Sequence, residues 1–229
     1  MNNLKLVIFA SGAGSTAEVL FPKAAVILTN NPEARVIERA KNAGVPVEIV
    51  EKNGMNLEEF GGKILKALSK YEFDFISQNG WEMITPISVC QKFAGRITNN
   101  HPAPLDPGHP DFGGKGMKGL VVHQAVLNFF KKVRRPFKSE VCIHLVNEEL
   151  DKGALLAYKP VEIMEEDSAE SLQARVKEIE KKLIAEFWDK VEKDGKLMPI
   201  QRQNRLIRPD EVGFLEEAKA EAIEEYSQR

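Results

Sequence analysis

The chain predicts an α/β fold, a mostly parallel twisted sheet with flanking helices. Three observations carry that expectation. Apolar runs of strand length alternate with helical periodicities from Leu4 to Gln78, the pattern of parallel strands joined by right-handed crossovers. The runs are nearly continuous, as in strands covered on both faces. Glycine-rich and polar segments follow the strands, at the carboxyl edge where such sheets bind ligands.

Leu4 to Ala10 (LKLVIFA) reads as the first strand, and Ser11-Gly12-Ala13-Gly14-Ser15-Thr16 follows it. Glycines permit a tight turn and close backbone approach, and a helix starting near Ser15 would aim free N–H groups and its positive dipole end at one spot. An anion, most naturally a phosphate, suits that spot. A plain strand-to-helix turn with Ser15 or Thr16 as N-cap accounts for the same residues. The stretch is not a P-loop, since no Gly-Lys-Ser/Thr follows, nor a full GxGxxG.

Ala24 to Thr29 is the second strand, Glu33 to Ala43 a helix stopped at Gly44, and Val45 to Val50 the third strand. Leu57 to Tyr71 fits an amphipathic helix through Phe60, Ile64, Leu65 and Leu68, weakened by Gly61-Gly62. Phe73 to Gln78 is the fourth strand, with Asn79-Gly80-Trp81 after it. A short strand at Arg96 to Thr98 leads into Asn99-Asn100-His101-Pro102-Ala103-Pro104. The prolines forbid helix there. In an extended segment Asn99 and His101, two apart, aim a neutral donor and a titratable group at one small volume.

From Pro102 to Gly119 the sequence holds four prolines and five glycines and almost no apolar periodicity. It reads as an ordered or closing flap beside His101; a disordered surface insertion is the alternative. Val121 to Lys132 resumes as helix, with His123 packing or capping inside it. Glu140 to Val146 and Ala154 to Lys159 form a hairpin with an acidic turn. Ser168 starts a capped helix whose stripe of Leu172, Val176, Ile179, Leu183, Ile184 and Phe187 runs to Trp188. Gly195 to Ile207 reads as a small C-terminal hairpin. Pro209 to Arg229 reads as a charged helix with Phe214, Leu215, Ala218, Ala222 and Tyr226 available to dock on its own domain, with a partner as the alternative.

Composition narrows the function. A formal charge of -2, from 32 basic and 34 acidic residues, gives no global reason to bind nucleic acid or an anionic membrane. Cys90 and Cys142 offer neither metal-ligand spacing nor a disulfide framework. Met1 to Phe9 lacks the pattern of a signal peptide, and no apolar run approaches the roughly 20 residues that would span a bilayer. The expectation is a cytoplasmic protein, monomer or homodimer, acting on small molecules.

One ordered set of segments is more specific than any of its parts: SGAGST after the first strand, then YEFDF, NGW and FAGRITNNHPAP, then IHLVNEELDKG. Together they resemble the phosphoribosylglycinamide formyltransferase family from about Leu4 to Leu206. The resemblance implies a Rossmann-like formyltransferase fold, with a catalytic domain over 1–207 and a helical extension over 208–229. It implies transfer of a formyl group from 10-formyltetrahydrofolate, as co-substrate, to the amine of glycinamide ribonucleotide in purine biosynthesis, with no metal. The family's Asn-x-His-Pro segment falls on Asn99 to Pro102 and its Glu-Leu-Asp-Gly-Gly segment on Glu149 to Gly153, so the implied catalytic trio is Asn99, His101 and Asp151. The resemblance further implies phosphate binding by Gly12, Ala13, Gly14, Ser15 and Thr16, ribose contact by Glu180, and a folate pocket lined by Trp81, Glu82, Met83, Ile84, Val146, Asn147, Glu148 and Glu149.

The chemistry explains these residue types. An amine attacking a formyl carbon places negative charge on oxygen and positive charge on nitrogen. Asn99 and a donating or protonated His101 would stabilise the oxyanion, on the order of 3 kcal/mol per well-placed donor. Asp151 would hold the imidazole in its useful state and accept the amine proton, directly or through water.

The sequence also departs from the family. Ala103-Pro104-Leu105-Asp106-Pro107 replaces the usual Ser-Leu-Leu-Pro, and extra residues precede the helix holding His123. Gln78 to Ile84 is one residue short with an acid in place of a base. Lys152 replaces a glycine, and no Tyr-Pro accompanies Glu180. Other readings are therefore another 10-formyltetrahydrofolate enzyme acting on a different amine, an amino sugar or water, a metal-assisted hydrolase using His101, Asp106, His109 and Asp111, and a non-catalytic binding protein.

Overall fold

A computed structural model of the chain describes residues 3–227. The strands are β1 (Leu6–Phe9), β2 (Ala24–Thr29), β3 (Val47–Ile49), β4 (Phe75–Gln78), β5 (Ile97–His101), β6 (Ser139–Leu145) and β7 (Leu155–Val161). The helices are α1 (Val36–Asn42), α2 (Leu57–Leu68), α3 (Ile87–Lys92), α4 (Gly119–Lys132), α5 (Ala169–Asp194) and α6 (Val212–Ser227). The seven strands make one sheet in the order β3-β2-β1-β4-β5-β6-β7. The pairs from β3 to β5 are parallel, and β6 with β7 is an antiparallel hairpin. The expected α/β class is what forms. Among the described residues no helix is long and apolar enough to cross a membrane.

By contacts the chain divides into two compact units. The first is Met1–Asn100, Leu145–Glu149 and Ile184–Leu197; the second is His101–His144, Leu150–Leu183 and Met198–Arg229. The boundary drawn from the sequence between 207 and 208 falls inside the second unit.

The first unit is built on β1, whose four residues are all buried, flanked by β2 and β4. One core combines Val7, Phe9, Val26 and Leu28 with Phe60, Ile64 and Leu68 of α2. Asn56 and Glu59 form a reciprocal capping box that starts α2 at Leu57. Gly61 suits a close helix crossing, because a Cβ there would lie 2.3 Å from Ser88 Oγ and 2.9 Å from Pro86 Cβ. Burying those partners makes α3, a short helix that apolar periodicity does not announce.

Local chemistry corrects several expectations. The helix after the glycine turn is a 3-10 helix, Ala17–Lys23, with no side-chain cap from Thr16. Pro22 within it lacks the N–H a continuing α-helix needs. β5 extends to His101, so Asn99 and His101 lie in the strand and not after it. Residues 195–207 include no strand. In that segment Ile200 N donates to Leu155 O and Leu206 N to the Asp106 carboxylate, and Arg202 bonds Leu105 O and Glu140, so a backbone-to-side-chain lacing stands where cross-strand pairing was expected.

The terminal helix does dock on its own unit, as expected, but by a narrower stripe. Leu215, Ala218 and Ala222 are buried, Phe214 is 43% exposed, and Asn128 of α4 donates to Ala218 O. The helix is described to Ser227; Gln228 and Arg229, like Met1 and Asn2, lie outside the described residues.

Candidate active site

In the first unit the loops at the carboxyl edge are laced through Ser11. Its N–H donates to Gly80 O at 3.0 Å, its hydroxyl donates to Asn30 Oδ1 at 2.6 Å, and the same oxygen accepts from Glu82 N at 2.9 Å. The Gly12–Thr16 turn is thereby tied to the start of the Trp81–Ile84 segment. Gly14 has φ +69°, and a Cβ there would lie 2.4 Å from Val36 Cγ2, so only glycine fits. Val36 N donates to Gly12 O, which clamps the turn onto α1. Ser15 stays half-buried and Gly12 has open space at its Cα.

The two segments expected to line a folate pocket meet in this unit. Trp81, Met83 and Val146 all pack against the same core, Cys90 donates to Asn147 O, and Gln91 donates to Glu148. The Trp81 ring itself belongs to that core, 4.9 Å from Phe9 and stacked on Phe60, with its indole N–H left without a partner. Glu82, Ile84, Glu148 and Glu149 are exposed.

β5 presents opposite faces. Asn100 is turned into the first unit's interior, where its amide donates to Asn79 Oδ1 at 2.5 Å. Asn79 in turn donates to Ser77 Oγ at 3.0 Å, which also accepts from Trp188 Nε1 at 3.2 Å. This buried polar chain pins the strand's register and leaves Asn99 on the other face. Only the Asn-Asn doublet hinted at it in the sequence.

The second unit holds the titratable cluster. His101 is 3% exposed; its Nε2 lies 3.0 Å from Phe112 O, and its Nδ1 lies 3.9 Å from Asp151 Oδ2. A carbonyl only accepts, so Nε2 carries the proton and Nδ1 is the nitrogen facing the carboxylate. Asp151 is buried, accepts from Gly114 N at 2.9 Å, and has φ +57°, a left-handed conformation that Asp tolerates better than most residues. His101 and Asp151 are thus brought together as expected.

His144 was not anticipated. Its Nε2 lies 3.6 Å from Asp151 Oδ1, so the carboxylate sits between two imidazoles. The β6–β7 register shifts between Ile143 and His144, which redirects that side chain; only its placement in an otherwise apolar strand could have marked it. His123 is buried on α4 and burial pushes its pKa down to about 3, so it is a neutral core residue.

The loop after His101 is ordered and packed, not a surface insertion. Ala103, Leu105, Phe112 and Met117 are buried, and Phe112 meets Phe129 and Phe137. Its carboxylates bind backbone: Asp106 accepts from Leu206 N, and Asp111 accepts from Asp106 N and Gly113 N and pairs with Lys152 at 3.4 Å. His109 is exposed. These four candidates do not gather as a ligand set, which corrects the metal-hydrolase alternative.

Glu180 lies on α5 in the second unit, 8% exposed. Burial raises its carboxyl to about 7, with Lys177 and Lys181 opposing the shift. A carboxyl poised there accepts or donates a hydrogen bond near neutral pH.

The formyl transferase family matches residues 4–187 of the chain. The chain is similar to the chloroplastic phosphoribosylglycinamide formyltransferase of Arabidopsis thaliana, 34% identical over 197 residues that cover 80% of this chain and 63% of the relative. It is similar to the phosphoribosylglycinamide formyltransferase of Bacillus subtilis (strain 168), 30% identical over 188 residues covering 78% and 89% of the two chains. The chain thus spans about three-fifths of the length of the plant relatives, 63% and 59% of the two matched. Its structure is similar to that of phosphoribosylglycinamide formyltransferase from Bacillus Halodurans, with a TM-score of 0.71 at 26% identity over 86% of this chain and 100% of the other. The Brucella melitensis structure of the same description gives 0.70 at 27% identity over 88% and 100%.

Proposed function

Because the chain belongs to the formyl transferase family, we propose that it transfers a formyl group from 10-formyltetrahydrofolate to the amine of glycinamide ribonucleotide, a step of purine biosynthesis. The observation that carries this reading is the buried His101–Asp151 pair with Asn99 two residues before His101 on the same strand. Those three groups are a donor, a titratable donor and a proton acceptor, which is what an acyl transfer to an amine needs.

As the amine nitrogen adds to the formyl carbon, the carbonyl oxygen becomes an oxyanion and the nitrogen an ammonium. The Asn99 amide donates to that oxygen. His101 donates through Nδ1 when it carries a second proton there, because Nε2–H is already committed to Phe112 O. Asp151 receives the proton that leaves the ammonium and passes it to the folate nitrogen as the oxyanion collapses to the new formyl C=O and the C–N bond to the folate breaks. Gly114 N–H holds one carboxylate oxygen in place throughout. His144 faces the other oxygen and orients the carboxylate from its far side.

The Gly12–Thr16 turn supports a phosphate site, since Gly12 leaves its surface open and Ser15 is within reach of solvent. Glu180 supports ribose hydroxyl binding, being a buried carboxyl able to serve in either protonation state. Trp81, Met83 and Val146 supply an apolar wall, and the unpartnered Trp81 indole N–H a donor, for the pterin. We place the protein in the cytoplasm on this reading. The test is incubation with 10-formyltetrahydrofolate and a panel of amines, reading deformylated folate. Release should require glycinamide ribonucleotide; release only with another amine, or with water alone, would replace the acceptor named here.

A further inference from the structure

We propose that Lys219, on the terminal helix α6, is a positioning residue that sets the peptide groups holding His101 and Asp151. The family match ends at residue 187, well before this helix. Lys219 Nζ donates to Asp111 O at 3.1 Å and to Gly113 O at 2.7 Å. Between and after those carbonyls lie the two groups that touch the catalytic pair, Phe112 O on His101 and Gly114 N on Asp151.

Peptide planarity links the lysine to both of these groups. A peptide group is rigid and trans, so its C=O and N–H point in opposite directions and holding one aims the other. The 113–114 peptide gives its oxygen to Lys219 and its N–H to Asp151 Oδ2. The 111–112 peptide gives its oxygen to Lys219 and its N–H to Pro104 O at 3.1 Å. The 112–113 peptide, between them, gives its oxygen to His101 Nε2 and its N–H to Asp111 Oδ1 at 3.0 Å. Three successive peptide planes are therefore held at both ends. A cation on the carbonyl of the 113–114 group also polarises it and strengthens its N–H as a donor to the carboxylate.

The neighbours fit the same purpose. Gly113 admits the close approach, since a Cβ there would lie 2.8 Å from Leu105 Cδ2 and 2.9 Å from Asp151 Cβ, and Gly114 has φ +99°. One turn along α6, Ile223 covers Gly116, where a Cβ would come within 3.2 Å of its Cδ1. Lys152, beside Asp151, pairs with Asp111 in the same segment. Two departures from the family pattern, the altered loop and Lys152, thus form one assembly with the terminal helix around the catalytic pair.

The inference deepens the formyl-transfer reading and rests on it only in its kinetic part. The first arm needs no substrate. In long-range ¹⁵N imidazole spectra of the free protein, His101, identified by its absence in His101→Asn, should appear as the Nε2–H form with a slowly exchanging proton. Lys219→Met keeps the apolar stem but should expose that proton to rapid exchange. In the second arm kcat should fall about 10- to 100-fold, the scale of a small misplacement of reacting groups, with both KM values held within about threefold. Lys219→Arg should restore both readouts, and Lys132→Met, which removes only exposed ion pairs between α4 and α6, should change neither. Unchanged exchange and unchanged kcat in Lys219→Met would overturn the proposal. Lys219→Gln serves if Lys219→Met does not fold; failure of both to fold would equally overturn it, making Lys219 a stability residue. A wild type without formyl transfer would sink the functional reading and leave the spectroscopic result standing.

Discussion

The two units hold their site loops by different means. In the first, the loops after β1, β2 and β4 are joined by neutral groups, chiefly Ser11, and by a glycine under Val36. In the second, an irregular loop is held by charges: Asp106 and Asp111 on backbone N–H groups, Lys152 on Asp111, and Lys219 on two carbonyls. The difference follows from what each has to hold. Parallel strand order already brings the first set of loops side by side, so one hydroxyl suffices. The segment from Pro102 to Gly119 has no ladder to lie on, and stronger, longer-reaching charge-assisted bonds take its place.

Four measurements test this difference between the units. The largest effect is expected from His101→Ala and Asp151→Asn, each lowering kcat by about 10²- to 10⁴-fold, the range for a lost acid–base group. Calorimetric binding of inorganic phosphate should be unchanged in both, because the glycine turn belongs to the other unit; an equal loss of binding would abolish the proposed division of labour.

Next, Gly14→Ala places a methyl group against Val36 in a left-handed conformation and should lower stability by about 3–4 kcal/mol in urea titrations. A loss below half of that would mean α1 yields easily and the turn is not rigid.

Third comes Glu180. Its carboxyl titrates near 7 in the fold against an ordinary 4.5, so the unfolded chain ionises first as pH rises. Folding stability should therefore fall by up to about 3 kcal/mol between pH 4.5 and 7 and level off above, as the linkage relation requires. Glu180→Gln should remove that slope, and a parallel slope in the variant would assign it to other groups.

The smallest effect is Lys152→Gly. Its half-exposed side chain pairs with a carboxylate that keeps two backbone donors, so about 1 kcal/mol or less should be lost. High salt should shrink the loss, whereas the Gly14→Ala loss should be indifferent to salt.

Much of this was legible in the residues. β2 spans Ala24–Thr29 as its apolar run said, α2 begins at Leu57, and the stripe from Leu172 to Trp188 lies on one long helix. His101 and Asp151 were legible through their motifs, and they do meet. Other features were not. α3 exists because Pro86 and Ser88 pack on Gly61, a contact without periodicity. The 3-10 helix at Ala17 replaces an α-helix because of Pro22, and 195–207 exchanges strand pairing for the bonds of Arg202 and Leu206.

By itself the sequence determined the elements whose information is local: strands buried on both faces, helices with one apolar stripe, the extended Asn99-x-His101 pair and the turn that only glycine can make. The tertiary structure alone decided which partners those groups keep. His144 reaches Asp151, Asn100 reaches Asn79, and Lys219 reaches the loop beside His101. The physical reason is that a hydrogen bond between residues far apart leaves no periodic trace in the chain. Its donor and acceptor are chosen by burial, which makes an unmet polar group expensive wherever the fold happens to place it.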